Sequence, residues 1–524
     1  MDFCDQERYD QMNGPLKVPA TERTQHLLLD ADSRRLTEEI HNLPYIDIPS
    51  ALTLAHRRLH TFNRFALAPA KRLQIVSPFH YAFVRFLDYY RQQLSGSLFA
   101  KEVSSNELDN LLEFIRELGF AYKHIIRDTL ERLKRPNGFA TVLYMAMLYQ
   151  YYHGLLSYNR GRMLKRAYWQ EFHYLYFLAC DLQQEDKPVT CPAGTEGSVS
   201  QLYKQSLLMG LASPYSMSAE DQWRTHDYTT KFAGLLTLME PESSDQLSES
   251  YFVTPDCLQP AHIKGNLPDS VAKARVLDLS RLMDTVYRHL TAIRSGESLR
   301  LTGLHNMQRK QALELLSMLS DRWCRNPHRK GQRREINEQI GLVWGLENIC
   351  TMLDPNQRRM DRLQNRNAGS DKRAWSRGSD ESNTGLRVKL SGDPTSFPEA
   401  GQIVAMIRQH NGRKVLEVGM VRWAAISRDD APECGIERIR GSVKKVVIHQ
   451  KDDQATDRNG LLVLLRNRTG AITTHLVAPS GALSIQSEAS LLAVGHHEPV
   501  RADIRLILNR SRSVEVFDVQ IIES

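Results

Sequence analysis

The sequence predicts an α+β protein: a large all-helical N-terminal domain followed by an antiparallel β-barrel with a C-terminal β extension. Three observations predict it. Apolar residues recur at the i, i+3, i+4, i+7 spacing of amphipathic helices up to about residue 324. Beyond residue 335 the period shortens to the alternation of strands. The late segments are rich in β-branched residues and are separated by Gly, Asp, Asn and Ser, as barrels and sandwiches require.

The helical elements come first. Leu108, Leu111, Leu112, Ile115 and Leu118 share one helix face, behind Ser104 and Ser105 as candidate N-caps. Leu279, Leu282, Met283, Val286, Tyr287, Leu290 and Ile293 form a second such face, which Gly296 terminates. Comparable patterns cover residues 22–42, 50–66, 77–95, 120–134, 138–156, 162–183 and 200–211. Breakers fall between them, among them Pro44, Pro69, Pro136, Pro188 and Pro214. No fixed-period similarity is present, so helical hairpins are expected instead of a solenoid. Residues 240–275, with Pro241, Pro255, Pro260 and Pro268, read as an irregular connection. The aromatic series from Tyr144 to Tyr176 keeps helical spacing and reads as a helix interface.

The expected strands are Ile336–Gly345, Lys372–Ser379, Gly385–Leu390, Gly401–Arg408, Lys414–Ala424, Gly435–Arg438 and Val443–His449. They continue at Gly460–Arg466, Ile472–Val477, Ala482–Gln486, Ser490–Val494, Ala502–Leu508 and Ser513–Ile522. One barrel needs about half of these. The expected organisation is a mobile N-terminus over 1–21, a helical domain over 22–324, and a barrel over 325–450 interrupted by a basic insert at 354–371. Residues 451–524 form a β extension or a second β unit.

Composition excludes more than it names. The 524 residues carry a net charge of +7, which permits an anionic partner without specifying one. The first residues include Asp2, Asp5 and Glu7 with no apolar leader, and no run reaches the length of a membrane span. Seven cysteines form no CxxC pair, so a reducing cytoplasm suits them and a zinc site does not. There is no phosphate loop, no Gly-x-Ser-x-Gly elbow and no His-Glu-x-x-His, and His496-His497 lies in a turn-like segment. No enzyme activity, metal or bound cofactor is expected.

Binding chemistry concentrates near the change of period. Between Asp321 and Arg377 stand thirteen Lys/Arg against seven Asp/Glu, and eleven of the thirteen are Arg. Guanidinium planes stack on nucleobases and fork onto phosphates, which ammonium groups do not reproduce. Downstream, Asp380-Glu381-Ser382-Asn383-Thr384-Gly385 sits at a strand–turn–strand junction ahead of Leu386–Leu390. A carboxylate such as Asp380 accepts the adjacent N1–H and N2–H donors of guanine. The Ser382 hydroxyl fixes the turn or reaches a phosphate, and Gly385 allows a close approach or a backbone conformation that a Cβ would block.

Arg-x-x-x-Arg followed by Asp-x-Ser-x-x-Gly resembles the signature of the PilZ family of cyclic di-GMP receptors. Gly419-Met420-Val421-Arg422-Trp423 and Gly435-Ile436-Glu437 resemble that family's later strand pair. The resemblance covers residues 325–450. It implies an antiparallel barrel that holds cyclic di-GMP, as a regulatory ligand, between an arginine loop and a wall carrying Asp380 and Ser382. The signatures of the enzymes that make or break this nucleotide are absent. Two arginine sets fit. The family's loop precedes the first strand, which favours Arg329 and Arg333 supported by Arg325 and Arg334; Arg358 and Arg362 are the alternative. The spacing from Arg333 to Asp380 exceeds the family's, and the insert must account for it. Capture of the arginine segment is then expected to alter how the helical domain meets an unidentified protein partner. Trp423 reads as core. The competing functions are a nucleic-acid-binding or scaffold protein, whose arginines meet a phosphate backbone, and a barrel that has lost its ligand and serves only protein contact.

Overall fold

A computed structural model of the chain describes residues 16–22, 33–94, 104–132, 138–191, 196–263, 267, 271–305, 307–324, 333–354, 374–391, 398–410, 413–427, 431–450, 457–466, 472–493, 498–511 and 513–522. The chain divides into two compact units, residues 1–327 and 328–524. The first is helical and the second is built of antiparallel strands, so the α+β expectation holds. No helix among the described residues is long and apolar enough to cross a membrane.

The helical unit runs α1 Ser33–His41, α2 Ile48–Asn63, α3 Pro69–Val76, α4 Phe79–Leu94, α5 Ser105–Arg132 and α6 Phe139–Asn159. It continues with α7 Arg166–Asp181, α8 Val199–Leu211, α9 Ala219–Phe232, α10 Ser244–Glu249, α11 Ser280–Arg294 and α12 Arg309–Cys324. Helix α6 is apolar all round, so it occupies the middle of the core, packed against α5. Aromatic rings fill the helix interfaces as expected: Tyr176 of α7 stacks on Tyr203 of α8 with centroids 3.8 Å apart. Trp323 is buried and donates its indole N–H to the Leu208 carbonyl at 3.0 Å, tying α12 to α8. The irregular stretch contains a small sheet in the order β3 Thr237–Met239, β5 Arg275–Asp278 and β4 Phe252–Val253, beside the two-stranded pair β1 Val189–Thr190 and β2 Glu196–Gly197.

Several helical expectations change. The patterns on either side of Gly119 belong to one helix, α5, which runs through the glycine without a break. Helices α3, α9, α10 and α12 add to the expected set. Residues 1–15 of the expected mobile terminus, and 23–32 of the first expected helix, lie outside the described residues.

The second unit contains two closed six-stranded barrels. The first comprises β6 Arg334–Trp344, β7 Ala374–Glu381, β8 Gly385–Lys389, β9 Ile403–His410, β10 Arg413–Ile426 and β11 Pro432–Ile439. Around its wall they run β6-β7-β8-β11-β10-β9, every pair antiparallel. Its interior is filled by Ile340, Leu342, Leu386, Val388, Val404, Met406, Val421, Cys434 and Ile436. The second comprises β12 Ser442–Gln450, β13 Arg458–Arg466, β14 Ile472–Pro479, β15 Glu488–Ala493, β16 Val500–Arg510 and β17 Val514–Ile522.

Two strand expectations need correction, and one helix is added. Ser442–Gln450 pairs with β13 and β15 and so opens the second barrel; the first ends at Ile439. Ala482–Gln486 is not a strand: it follows Gly481 and ends at Gln486, both at positive φ, and it tucks Ala482 and Leu483 into the second barrel's core. After β6 the chain forms a helix, α13 Leu346–Leu353, before entering residues 355–373, which lie outside the described residues. Gly345, at φ 83°, makes the turn from strand to helix.

Candidate functional site on the first barrel

The site begins with the end of β7. Gly378 faces the barrel interior, where an added Cβ would come within 2.8 Å of Ile336 Cδ1. A bulge between Gly378 and Asp380 then shifts the alternation. Asp380 pairs with outward-facing Arg387, whereas Glu381 pairs with the buried Leu386 and turns inward. Two consecutive carboxylates thus serve opposite sides of the wall.

On the outer side, Nη1 of Arg333 donates to Oδ1 of Asp380 at 2.5 Å, and Nη1 of Arg387 lies 3.8 Å from Oδ2. Arg387 Nε donates to Glu433 at 2.9 Å, and Lys389 Nζ approaches the same carboxylate at 3.7 Å. Glu433 is nearly inaccessible, so its charge is matched on the spot. The Arg387 guanidinium also lies 5.9 Å from the ring centroid of Trp423. That indole covers Gly435 so closely that a Cβ there would sit 2.6 Å from its Cε2. Trp423 is therefore half-buried on the outer wall, and not a core residue as the sequence suggested. A bulge between Val421 and Trp423 directs it there.

On the inner side, Glu381 binds Arg334 at 2.5 Å, Arg438 at 2.7 Å and Arg408 at 3.0 Å. Arg408 also binds Glu338 at 2.6 Å. Burial alone would raise the Glu381 carboxyl, but hydrogen bonds from Arg334 and Arg438 and the charge of Arg408 hold it at about 2. This ion cluster ties β6, β7, β9 and β11 together near one end of the barrel.

The turn between β7 and β8 is closed by Ser382, whose hydroxyl accepts the Gly385 N–H at 3.0 Å, while the Ser382 N–H donates to the Gly385 carbonyl at 2.8 Å. Gly385 is not at positive φ, and a Cβ there would stand 3.4 Å from the Ile436 carbonyl oxygen, at the limit of ordinary contact.

Among the sequence-predicted residues, the structure brings Arg333 and Asp380 together, and Ser382 and Gly385 close the turn that follows. Arg334 is drawn instead to Glu381. Arg325, Arg329, Arg358 and Arg362 lie outside the described residues. Helix α13 and residues 355–373 account for the long spacing between Arg333 and Asp380. Arg387 and Glu433, neighbours of Asp380, escaped the sequence reading. The Leu386-Arg387-Val388-Lys389 alternation already placed Arg387 on an outer face, but only the strand register places it beside Asp380. No cluster of His, Cys, Asp and Glu among the described residues is arranged to hold a metal ion.

None of the curated proteins matches the chain. Residues 34–242 match the family model described as the N-terminal domain of the cyclic-di-GMP receptor FimW. From α1 to just beyond β3, the helical unit is thus similar to the N-terminal domain of a cyclic-di-GMP receptor.

Proposed function

We propose that this chain is a non-catalytic cyclic-di-GMP receptor that holds the nucleotide on the outer wall of a PilZ-type first barrel and reports it to a protein partner through the helical unit. The observation that carries the reading is the outward Asp380 carboxylate, flanked by Arg333 and Arg387 on the outer wall. The match of the helical unit to a cyclic-di-GMP receptor's N-terminal domain supports it independently.

In this reading Asp380 exchanges its bond to Arg333 for the N1–H and N2–H donors of a guanine, and Arg333 moves to a phosphate oxygen. The Arg387–Trp423 pair offers a flat cationic–aromatic surface beside the base. Arg325 and Arg329 join the clamp from the segment that connects the two units, so capture of that segment is the step that reaches the helical unit. The ligand is a switch and is not consumed.

Titration calorimetry of the full chain tests this. Heat on adding cyclic di-GMP, resistant to excess GTP and lost in Asp380→Ala and Arg333→Ala, is the expected result. No heat at tens of micromolar ligand with folded protein refutes the reading. Binding that ignores the base and falls steeply with salt would mark a phosphate-backbone binder instead.

A further inference from the structure

The second barrel has no obvious sequence kinship with the first, yet it repeats its topology. Around the first wall the strands run β6-β7-β8-β11-β10-β9, and around the second β12-β13-β14-β17-β16-β15. Numbered within each barrel, both read one-two-three-six-five-four. A shared order for six antiparallel strands is a demanding coincidence, because neighbours in sequence could pair in many other ways.

Matching the barrels strand by strand makes their surfaces comparable. The wall that carries Asp380, Arg387 and Glu433 is formed by β7, β8 and β11. Its counterpart is formed by β13, β14 and β17. Among the described ladder pairs, one before the last of each hairpin, Leu465 faces Thr473 as Asp380 faces Arg387. Leucine offers guanine no acceptor. Further along the same wall are Val463, Val477 and Val516, all buried. They pack in one apolar cluster with Val418 and Met420, from the back of the first barrel, and with Ile349 of α13. Lys445 of β12 fastens the seam by bonding Asp354, just after α13, at 2.8 Å.

We propose that the second barrel is a repeat of the first whose ligand-facing wall has become an interface, so that the chain carries one nucleotide site and the second barrel braces the back of the barrel that holds it. The repeat and the interface follow from topology and packing. The identity of the nucleotide rests on the receptor reading above. Helix α13, inserted between the first two strands of the first barrel, is the wedge that the converted wall grips. The contact joins the front of one barrel to the back of the other, so the second barrel does not cover the wall that carries Asp380.

Two measurements on the full chain test this. Hydrogen exchange is followed in Val463→Ala, with Val463→Asp as the stronger variant. The amides of α13, β9 and β10 should exchange at least about tenfold faster in Val463→Ala, while those of β8 keep their protection. Unchanged exchange in α13, β9 and β10 overturns the interface. Titration of Asp380→Ala with cyclic di-GMP should show no sites left at wild-type affinity, and retention of a fraction of the sites at that affinity would mean that the second barrel binds. Should wild-type protein bind no cyclic di-GMP, the receptor reading and the single nucleotide site fall, and the exchange measurement still decides the interface.

Discussion

Asp380 and Glu381 are adjacent in sequence and on opposite sides of one barrel wall, so replacing each with alanine should give opposite phenotypes. Glu381 is 11% exposed and answers three arginines, two of which, Arg408 and Arg438, are 15% and 12% exposed. Its removal leaves those cations, among the described residues, with Glu338 and Glu417. Breaking a buried pair from one side costs about 3 kcal/mol or more, on the order of a hundredfold in local opening. Asp380 holds an arginine that is 38% exposed, and such a pair contributes no more than about 1 kcal/mol. Glu381→Ala should therefore raise amide exchange in β7, β9 and β11 by about two orders of magnitude. Asp380→Ala should leave exchange nearly unchanged and weaken cyclic di-GMP at least roughly thirtyfold, the loss expected from an unpaired charged hydrogen bond of about 2 kcal/mol. The Glu381 contribution also carries a pH signature. With its carboxyl at about 2 in the folded state and near 4.3 when unfolded, the stabilisation is complete above about pH 4.3 and disappears as pH falls toward 2. Equal exchange profiles for the two variants would refute the assignment of the carboxylates to opposite faces.

Three further outcomes follow. Burial holds His80 and His173 at about 4 and His226 at about 3, each bonded to a buried tyrosine hydroxyl. Because the folded state resists protons that the unfolded chain accepts near 6.5, each costs about 2 kcal/mol at pH 5, and the helical unit should lose stability steadily below pH 6.5; helix melting that is constant down to pH 4.5 contradicts this. Gly441, at φ 140°, links the two barrels, and a Cβ there would lie 2.6 Å from the Leu464 carbonyl oxygen. Gly441→Ala should cost about 2 kcal/mol or more, measured as a lower urea midpoint for the β unit. Arg387→Lys keeps a positive charge near Glu433 but loses the plane beside Trp423, so cyclic di-GMP affinity should fall several-fold with little change in stability.

The helical architecture was largely legible because amphipathic periodicity reports burial directly. It failed where the buried face is polar. Helix α9 escaped because its buried face contains Gln222, Thr225, His226 and Thr229, which no hydrophobic pattern marks. In the β unit, alternation found nearly every strand, since each wall separates an apolar core from another surface. It placed a false strand at Ala482–Gln486 because apolar residues that plug a barrel end have strand-like composition without strand pairing.

The limits at the site have a different origin. The Asp-x-Ser-x-x-Gly pattern marks the turn correctly because Ser382 and Gly385 close it through local bonds. Which neighbouring carboxylate faces outward is decided by the bulge after Gly378, and strict alternation across that point would assign the faces wrongly. The repeat is hidden for a related reason. A barrel needs inward apolar residues in either copy, but its outward residues are free to diverge with their surroundings. Exchanging the polar environment of Asp380 for the apolar seam around Val463 erases the similarity that sequence comparison would use, and the strand order is what remains. The same outer wall is therefore readable as a site in one barrel and as an interface in the other only after the strands have been placed.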